Sequence, residues 1–193
     1  MTAANFHVFS IVEGDGEIEA VPKLLYHIWG SESPLLRTDQ KPWKLLKGKF
    51  IHDQKKRQEA LNVVRSWASA RCQSGVLILL DADKERAPDF VRNNKNIQDD
   101  IEGILKDVPY IFALAEKGYE SWLVAGFGGG NPGNPEDWIN DHKEKTGLGR
   151  KYSKTVDQSK LSAQMDIQQA YEDNCSFKRL CKKLWKWRDN LRK

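Results

Sequence analysis

Val76-Leu77-Ile78-Leu79-Leu80-Asp81-Ala82-Asp83 is the stretch on which the fold turns. Five large aliphatic residues in a row, without polar alternation, fit a strand buried on both faces, as in a parallel sheet covered by helices. The run ends abruptly at two aspartates one residue apart. Upstream, Phe6-His7-Val8-Phe9-Ser10-Ile11-Val12 reads as a second buried strand and stops at Glu13-Gly14-Asp15-Gly16, whose glycines permit a sharp reversal. Downstream, residues 110–115 form a third apolar run, ending at Glu116.

Helical spacing fills the intervals. Ile18, Val21, Leu24, Leu25 and Ile28 share one face; Pro22 is accommodated only in a first turn, so that helix is expected to start near Ala20. A helix over residues 53–71, with Leu61, Val64 and Trp67/Ala68 on one face, is expected to stop at Gly75. Another covers residues 97–105. Residues 43–46 and 50–51 fit an edge strand or a loop equally. The glycine-rich loop 126–134 leads into Asn134-Pro135-Glu136-Asp137, the chemistry of a helix start, and Gly147 is expected to end that helix. Two last helices are expected over residues 162–173 and 176–192. Strands alternating with helices predict an α/β fold with a mostly parallel sheet flanked by helices and a helical C-terminal extension. A single domain is expected, its core over residues 5–125 and its helical part over 134–193.

The 193 residues suffice for one well-buried core. No apolar run approaches the roughly 18 to 20 residues that span a bilayer, and MTAANFHVFS lacks a secretory pattern, so a cytoplasmic location away from membranes is expected. Cys72, Cys175 and Cys181 show neither a CxxC pair nor zinc-ligand spacing, which excludes a disulfide framework or zinc ribbon as an organising principle. The net charge of +4 is unevenly spread: residues 178–193 carry eight Lys/Arg against Asp189, and residues 41–57 carry seven against Asp53. Basic surfaces facing a polyanion, with acids gathered elsewhere, follow from that separation.

In an open parallel sheet, strand ends line one edge and ligands bind there. The first strand delivers Glu13 to that edge, and residues 76–80 deliver Asp81 and Asp83, whose side chains point the same way if strict alternation holds. Three carboxylates in so small a space repel unless a cation neutralises them. Hard oxygen ligands without His or Cys suit Mg²⁺ or Mn²⁺, and the matching chemistry is metal-assisted displacement at phosphorus. His7, His27, His52 and His142 are scattered and take no catalytic part in this reading. Asp15, Glu17 and Glu19 are read as first-turn helix acids rather than ligands.

Ile11-Val12-Glu13-Gly14 entering a helix, followed by Leu79-Leu80-Asp81-Ala82-Asp83, resembles the Toprim signature of topoisomerases, primases and small nucleases. The likeness extends to small stand-alone Toprim-like proteins related to the OLD-family nucleases, often encoded beside an ATPase in phage-defence loci. Glu120-Ser121-Trp122 resembles the Glu-x-Trp stretch of that group, and Tyr152-Ser153-Lys154 and Ser176-Phe177-Lys178-Arg179-Leu180 are similar to its later segments. The resemblance implies that Glu13 is a general base or metal-bridging carboxylate, that Asp81 and Asp83 are metal ligands, and that Glu120 is a further ligand; a helix-start role for Glu120 remains an alternative. One departure is Gly118, where the family pattern often has an acid; Glu116, at a different spacing, is the residue available to compensate.

In the last helix Phe177, Leu180/Cys181, Leu184, Trp187 and Leu191 form one stripe, which leaves Lys178, Lys182, Lys183, Lys186 and Arg192 outward and Trp185 off the stripe. Such a face suits nucleic-acid phosphates with occasional base stacking, or a partner protein. Lys47, Lys49, Lys55, Lys56 and Arg57 offer a second contact, and Lys84 either holds a phosphate or faces solvent. The expected activity is a Mg²⁺-dependent endonuclease or nickase acting on nucleic acid, DNA favoured over RNA, controlled by a partner ATPase in phage defence. The alternative is a catalytically weak Toprim subunit that binds nucleic acid or such an ATPase, with homo-oligomerisation open. A haloacid-dehalogenase phosphatase fits poorly, because its DxD would follow the first strand.

Overall fold

The computed structural model describes residues 5–38, 40–83 and 87–191. Its strands β1 (Phe6–Val12), β2 (Leu36–Arg37), β3 (Trp43–Lys44), β4 (Ser74–Asp83) and β5 (Tyr110–Glu116) form one parallel sheet. The order is β2-β1-β4-β5, and β3 shares the outer edge of β1 with β2. β2 pairs with the start of β1 (Phe6↔Leu36) and β3 with its end (Val12↔Lys44), so two strands of two residues each replace one edge strand. The expected α/β class and parallel sheet are observed.

The pleat sorts the core into two halves. Phe6, Val8, Val12, Leu77, Leu79, Ile111, Ala113 and Ala115 face α1 (Asp15–Trp29), α6 (Glu120–Gly126), α9 (Lys154–Gln164), α10 (Ile167–Asp173) and α11 (Cys175–Asn190). Phe9, Ile11, Val76, Ile78, Leu80 and Leu114 face α2 (Lys47–His52), α3 (Gln54–Ser69), α4 (Ala87–Asn93) and α5 (Lys95–Leu105). Asp81 extends the row of Leu77 and Leu79, so the period of two alone assigns it to the face of α1, α6 and α9. α7 (Pro135–Asp141) and α8 (Lys143–Thr146) complete the chain. No helix among the described residues is long and apolar enough to cross a membrane.

Several sequence-based boundaries move. α1 starts at Asp15, and Pro22 lies inside it. The lost amide bond is outweighed by burial of Ala20, Val21, Leu24, Leu25, Ile28 and Trp29 along the rest of the helix. α3 ends at Ser69, while Gly75 belongs to β4, where the Trp187 ring leaves no room for a Cβ. Asn134 does cap α7, accepting the Glu136 and Asp137 amides, but that helix breaks at His142 before α8 reaches Gly147 in the left-handed region. The two expected C-terminal helices are three, because Met165 and Asp166 break the segment and Asp166 caps α10.

α1 and α9 touch most closely at Gly16. A Cβ there would lie 1.8 Å from Gln158 Oε1 and 2.8 Å from the Lys154 carbonyl, which is backbone and cannot swing away. Gly16→Ala is therefore expected to force the helices apart and cost about 1–3 kcal/mol. Urea melts of both proteins measure it; an unchanged midpoint would show that the contact is slack.

Candidate metal centre

Glu13 follows the last residue of β1, and its Oε2 accepts the Asp81 amide at 3.2 Å. Neighbouring strands thus bring the first acid directly onto the second. Asp81 Oδ1 accepts the Tyr119 amide at 2.9 Å, tying the end of β4 to the turn after β5. That turn is tight: Lys117 has φ 61° and Gly118 φ 84°, and Ser121 Oγ donates to the carbonyls of Glu116 and Gly118. It delivers Glu120 at the start of α6 with only 3% of its surface exposed.

Gly118 stands where a side chain has little room. A Cβ at this position would lie 3.3 Å from Asp81 Oδ2 and 3.4 Å from Glu120 Oε2, in a conformation that L side chains rarely adopt. Two carboxylate oxygens therefore face one small space, and a side chain there would fill it. Glu116 turns away instead, to Arg179 on α11.

Glu17 and Lys154 join the acids, and neither was assigned to the site from the sequence. The Glu17 carboxylate takes the Gly14 amide, a helix-start bond as expected of a first-turn acid, yet the residue is buried. Gln158 Nε2 reaches its other oxygen at 3.5 Å. Glu120 Oε1 receives the Tyr152 hydroxyl at 3.2 Å and the Lys154 ammonium at 3.3 Å, and Lys154 also bonds Glu136 at 3.0 Å. Residues 150–154 are held by Arg150–Asp157, by the Ser153 amide on Asp157, and by the Tyr152 amide on Asn140.

Burial and crowding raise the Asp81 and Glu17 carboxyls. Burial, then the charges of Glu17, Glu120 and Glu13, push Asp81 up to about 8 against the opposing pull of Lys154. Burial likewise raises Glu17, with Glu120 and Glu13 adding to it and the Gly14 and Gln158 bonds working the other way. Burial alone would lower Lys154, but Glu120 and Glu136 outweigh it and the ammonium stays charged. Burial and the acids keep Tyr152 and Tyr119 protonated.

The backbone ladder slips between Asp81 and Asp83, a bulge that breaks the strict alternation expected across the DxD. The Asp83 side chain and Lys84 lie outside the described residues. Among the described residues, no three His, Cys, Asp or Glu side chains come together as a set that could hold a metal ion. The donor chemistry nevertheless suits a hard divalent ion: mutually repelling carboxylates at one sheet edge, offset among the described residues by the Lys154 ammonium.

The basic tail is placed elsewhere. α11 begins beside the end of β5, where Ser176 Oγ accepts the Glu116 amide, and runs back along the sheet. Sixteen residues carry it about 24 Å. Lys183 and Lys186 accordingly line a cavity of about 800 Å³ with Phe6, Ser74 and Tyr110 at the strand starts. Lys182 is exposed, one residue before Lys183. Lys178, nearer the acid edge, is half-buried with its ammonium 4.8 Å from the Tyr171 ring centre. Trp185 is not a free stacking platform: it packs on Tyr171 and its indole donates to the Ile28 carbonyl. Arg192 lies outside the described residues. Compared with family models, curated proteins and solved structures, the chain matches none.

Proposed function

We propose that the chain is a Toprim-like, Mg²⁺- or Mn²⁺-dependent phosphodiester hydrolase acting on nucleic acid. The observation that carries the reading is the Asp81 backbone amide donating to Glu13 Oε2 at 3.2 Å, with the Glu120 and Asp81 carboxylates beside the Gly118 gap. Acids that follow three neighbouring strands, β1, β4 and β5, lie on the side where a parallel sheet binds ligands. Glu13, Asp81 and Glu120, which form no ready-made metal set among the described residues, are the acids that an ion would draw together, with Asp83 as the fourth acid of the motif. Bound there, the ion would polarise a phosphate oxygen and acidify an attacking water. Glu13 would take a proton from such a water. Tyr152 and Lys154 orient Glu120, and Lys154 supplies a positive charge beside the reacting phosphate.

The test is incubation of purified protein with supercoiled plasmid, single-stranded DNA and RNA, in Mg²⁺, Mn²⁺ or EDTA. Cleavage is expected with metal, absent with EDTA, and lost in a folded Glu13→Ala variant. Cutting that persists in EDTA or in Glu13→Ala overturns the assignment. Gly118 favours a second reading, a subunit that binds nucleic acid or an ATPase partner without cutting; binding with no turnover under any metal is its signature.

A further inference from the structure

Two basic segments stand at opposite edges of the sheet, and their positions select between them. Leu45 donates its amide to the Val12 carbonyl at 2.9 Å, and Lys44 bonds Asp15 at 2.7 Å. The chain therefore leaves β3 immediately beside Glu13, and α2 begins there. On the other side, the Lys47 ammonium lies 5.8 Å from the Phe90 ring centre in α4, the next described helix after β4. α2 thus stands at the same edge as both metal-motif strand ends.

Much of the charge in this segment is already committed. Lys44 pairs with Asp15, Lys56 with Glu59, and Arg57 is buried against Asp100. Asp53 is engaged as the α3 cap, accepting the Lys56 amide. Lys49 and Lys55 are exposed, and among the described residues no acid is bonded to either. Beside Lys49 lies a shallow hollow of about 660 Å³ lined by Leu46, Gly48, Lys49, His52, Asp53 and Gln54. Leu46 is 54% exposed, an apolar residue left uncovered among lysines. An exposed leucine beside uncommitted lysines fits a strand that offers phosphates to the cations and a base face to the leucine.

We propose that the α2 strip, Leu46, Lys49, His52 and Lys55, is where a nucleic-acid strand lies as it reaches the carboxylates. The proposal rests on the hydrolase reading for its substrate, yet binding is separable from cutting. The strand passes over α2 and meets Glu13 first, while the α11 lysines at the far edge take no part in holding it.

Fluorescence anisotropy with a labelled single-stranded oligonucleotide in EDTA tests this without turnover. Lys49→Glu/Lys55→Glu is expected to weaken binding at least about tenfold and to flatten the salt dependence by about two ions released. Gly48→Glu adds a charge where a Cβ meets nothing within 4 Å, so it perturbs the surface and not the packing. It is expected to weaken binding several-fold with an unchanged melting temperature. Lys182→Glu/Lys183→Glu/Lys186→Glu is expected to stay within about twofold of wild type, at most the loss of long-range attraction. The strip is overturned if the far-edge triple variant loses binding while the two α2 variants do not, or if the wild-type protein binds no nucleic acid. Binding that follows the expected pattern without cleavage in Mg²⁺ sinks the hydrolase reading and leaves the strip standing. Cleavage with unaltered α2 variants does the reverse.

Discussion

Asp81→Asn is expected to abolish metal-dependent cleavage, by about 10³-fold or more, and at the same time to stabilise the metal-free protein above neutral pH. The first effect follows from removing a hard anionic ligand, worth several kcal/mol of transition-state charge stabilisation at about 1.4 kcal/mol per factor of ten. The second follows from the crowding. Asparagine keeps the size and the Oδ1 acceptor for the Tyr119 amide, so the turn after β5 has what it needs. What disappears is a carboxylate that burial and three neighbouring acids drive up to about 8 from 3.8. Between those values the folded state holds a proton that the unfolded chain has lost. The stability associated with Asp81 is complete below about pH 4 and drains away as pH rises through about 8, with a slope approaching 1.4 kcal/mol per pH unit. Glu17, raised for the same reason, acts with the same sign. Counting half of the Asp81 shift, the substitution is worth about 3 kcal/mol at pH 8 and above. Thermal melts in EDTA at pH 5 and pH 8.5 should show the variant near wild type at the first and well above it at the second. Mg²⁺ should raise the wild-type melting temperature at pH 8.5 and leave the variant unmoved. A variant equally destabilised at both values would make Asp81 a plain turn-capping residue.

The same residues show how far local pattern reaches. Apolar runs at 6–12, 76–80 and 110–115 could only be buried strands, and a carboxylate closing such a run needs a partner; the sheet edge and its acids followed from chemistry within a few residues. β2 and β3 carry no pattern, because two residues cannot display a period, and they exist only through pairing with β1. Pro22 misled because a rule about local bonding lost to the burial of a whole helix face.

Glu17 and Lys154 mark the other limit. Glu17 had a sufficient local explanation at the start of α1, and nothing near it in sequence indicates that α9 covers it. Its neighbour Gln158 is 141 positions away, and Lys154 reaches Glu120 across 34. The Gly16 contact between α1 and α9 creates both relationships, and only a glycine at the point of closest approach hinted at it. The tail gives the complementary case. The buried stripe of α11 is as expected, with Phe177, Leu180, Cys181 and Leu184 covered. A stripe fixes which face packs and says nothing about which sheet edge the outward lysines reach. Direction along the sheet is a tertiary property, and it moved Lys182, Lys183 and Lys186 away from the acids.

Arg57→Ala is expected to lose about 3–5 kcal/mol, the range for breaking a buried ion pair by removing one partner. The guanidinium is 1% exposed and binds at three points: Phe50 O at 2.8 Å, Ile51 O at 3.0 Å, and Asp100 Oδ2 through Nε at 2.8 Å. The two carbonyls belong to the last turn of α2, which the arginine clamps onto α3 and, through Asp100, onto α5. Removing it orphans both carbonyls and leaves Asp100 with Gln58 and Gln54 as its remaining donors. Arg57→Lys should recover little, since an ammonium cannot span these acceptors as a planar fork does. Acid titration separates the ion pair from simple packing. Burial would raise Asp100, but the Gln58 and Arg57 bonds and the arginine charge hold it below the ordinary carboxylate range. Its contribution is therefore present above that range and lost as pH falls through the folded value, below about 4. Wild type should lose part of its advantage over Arg57→Ala only in that acid window. Hydrogen exchange should quicken first at residues 47–57, the segment that presents Lys49 and His52, and nucleic-acid binding should weaken although no exposed charge has been altered. Equal protection of α2 in both proteins would mean that β3 and Phe50 hold the helix without the clamp.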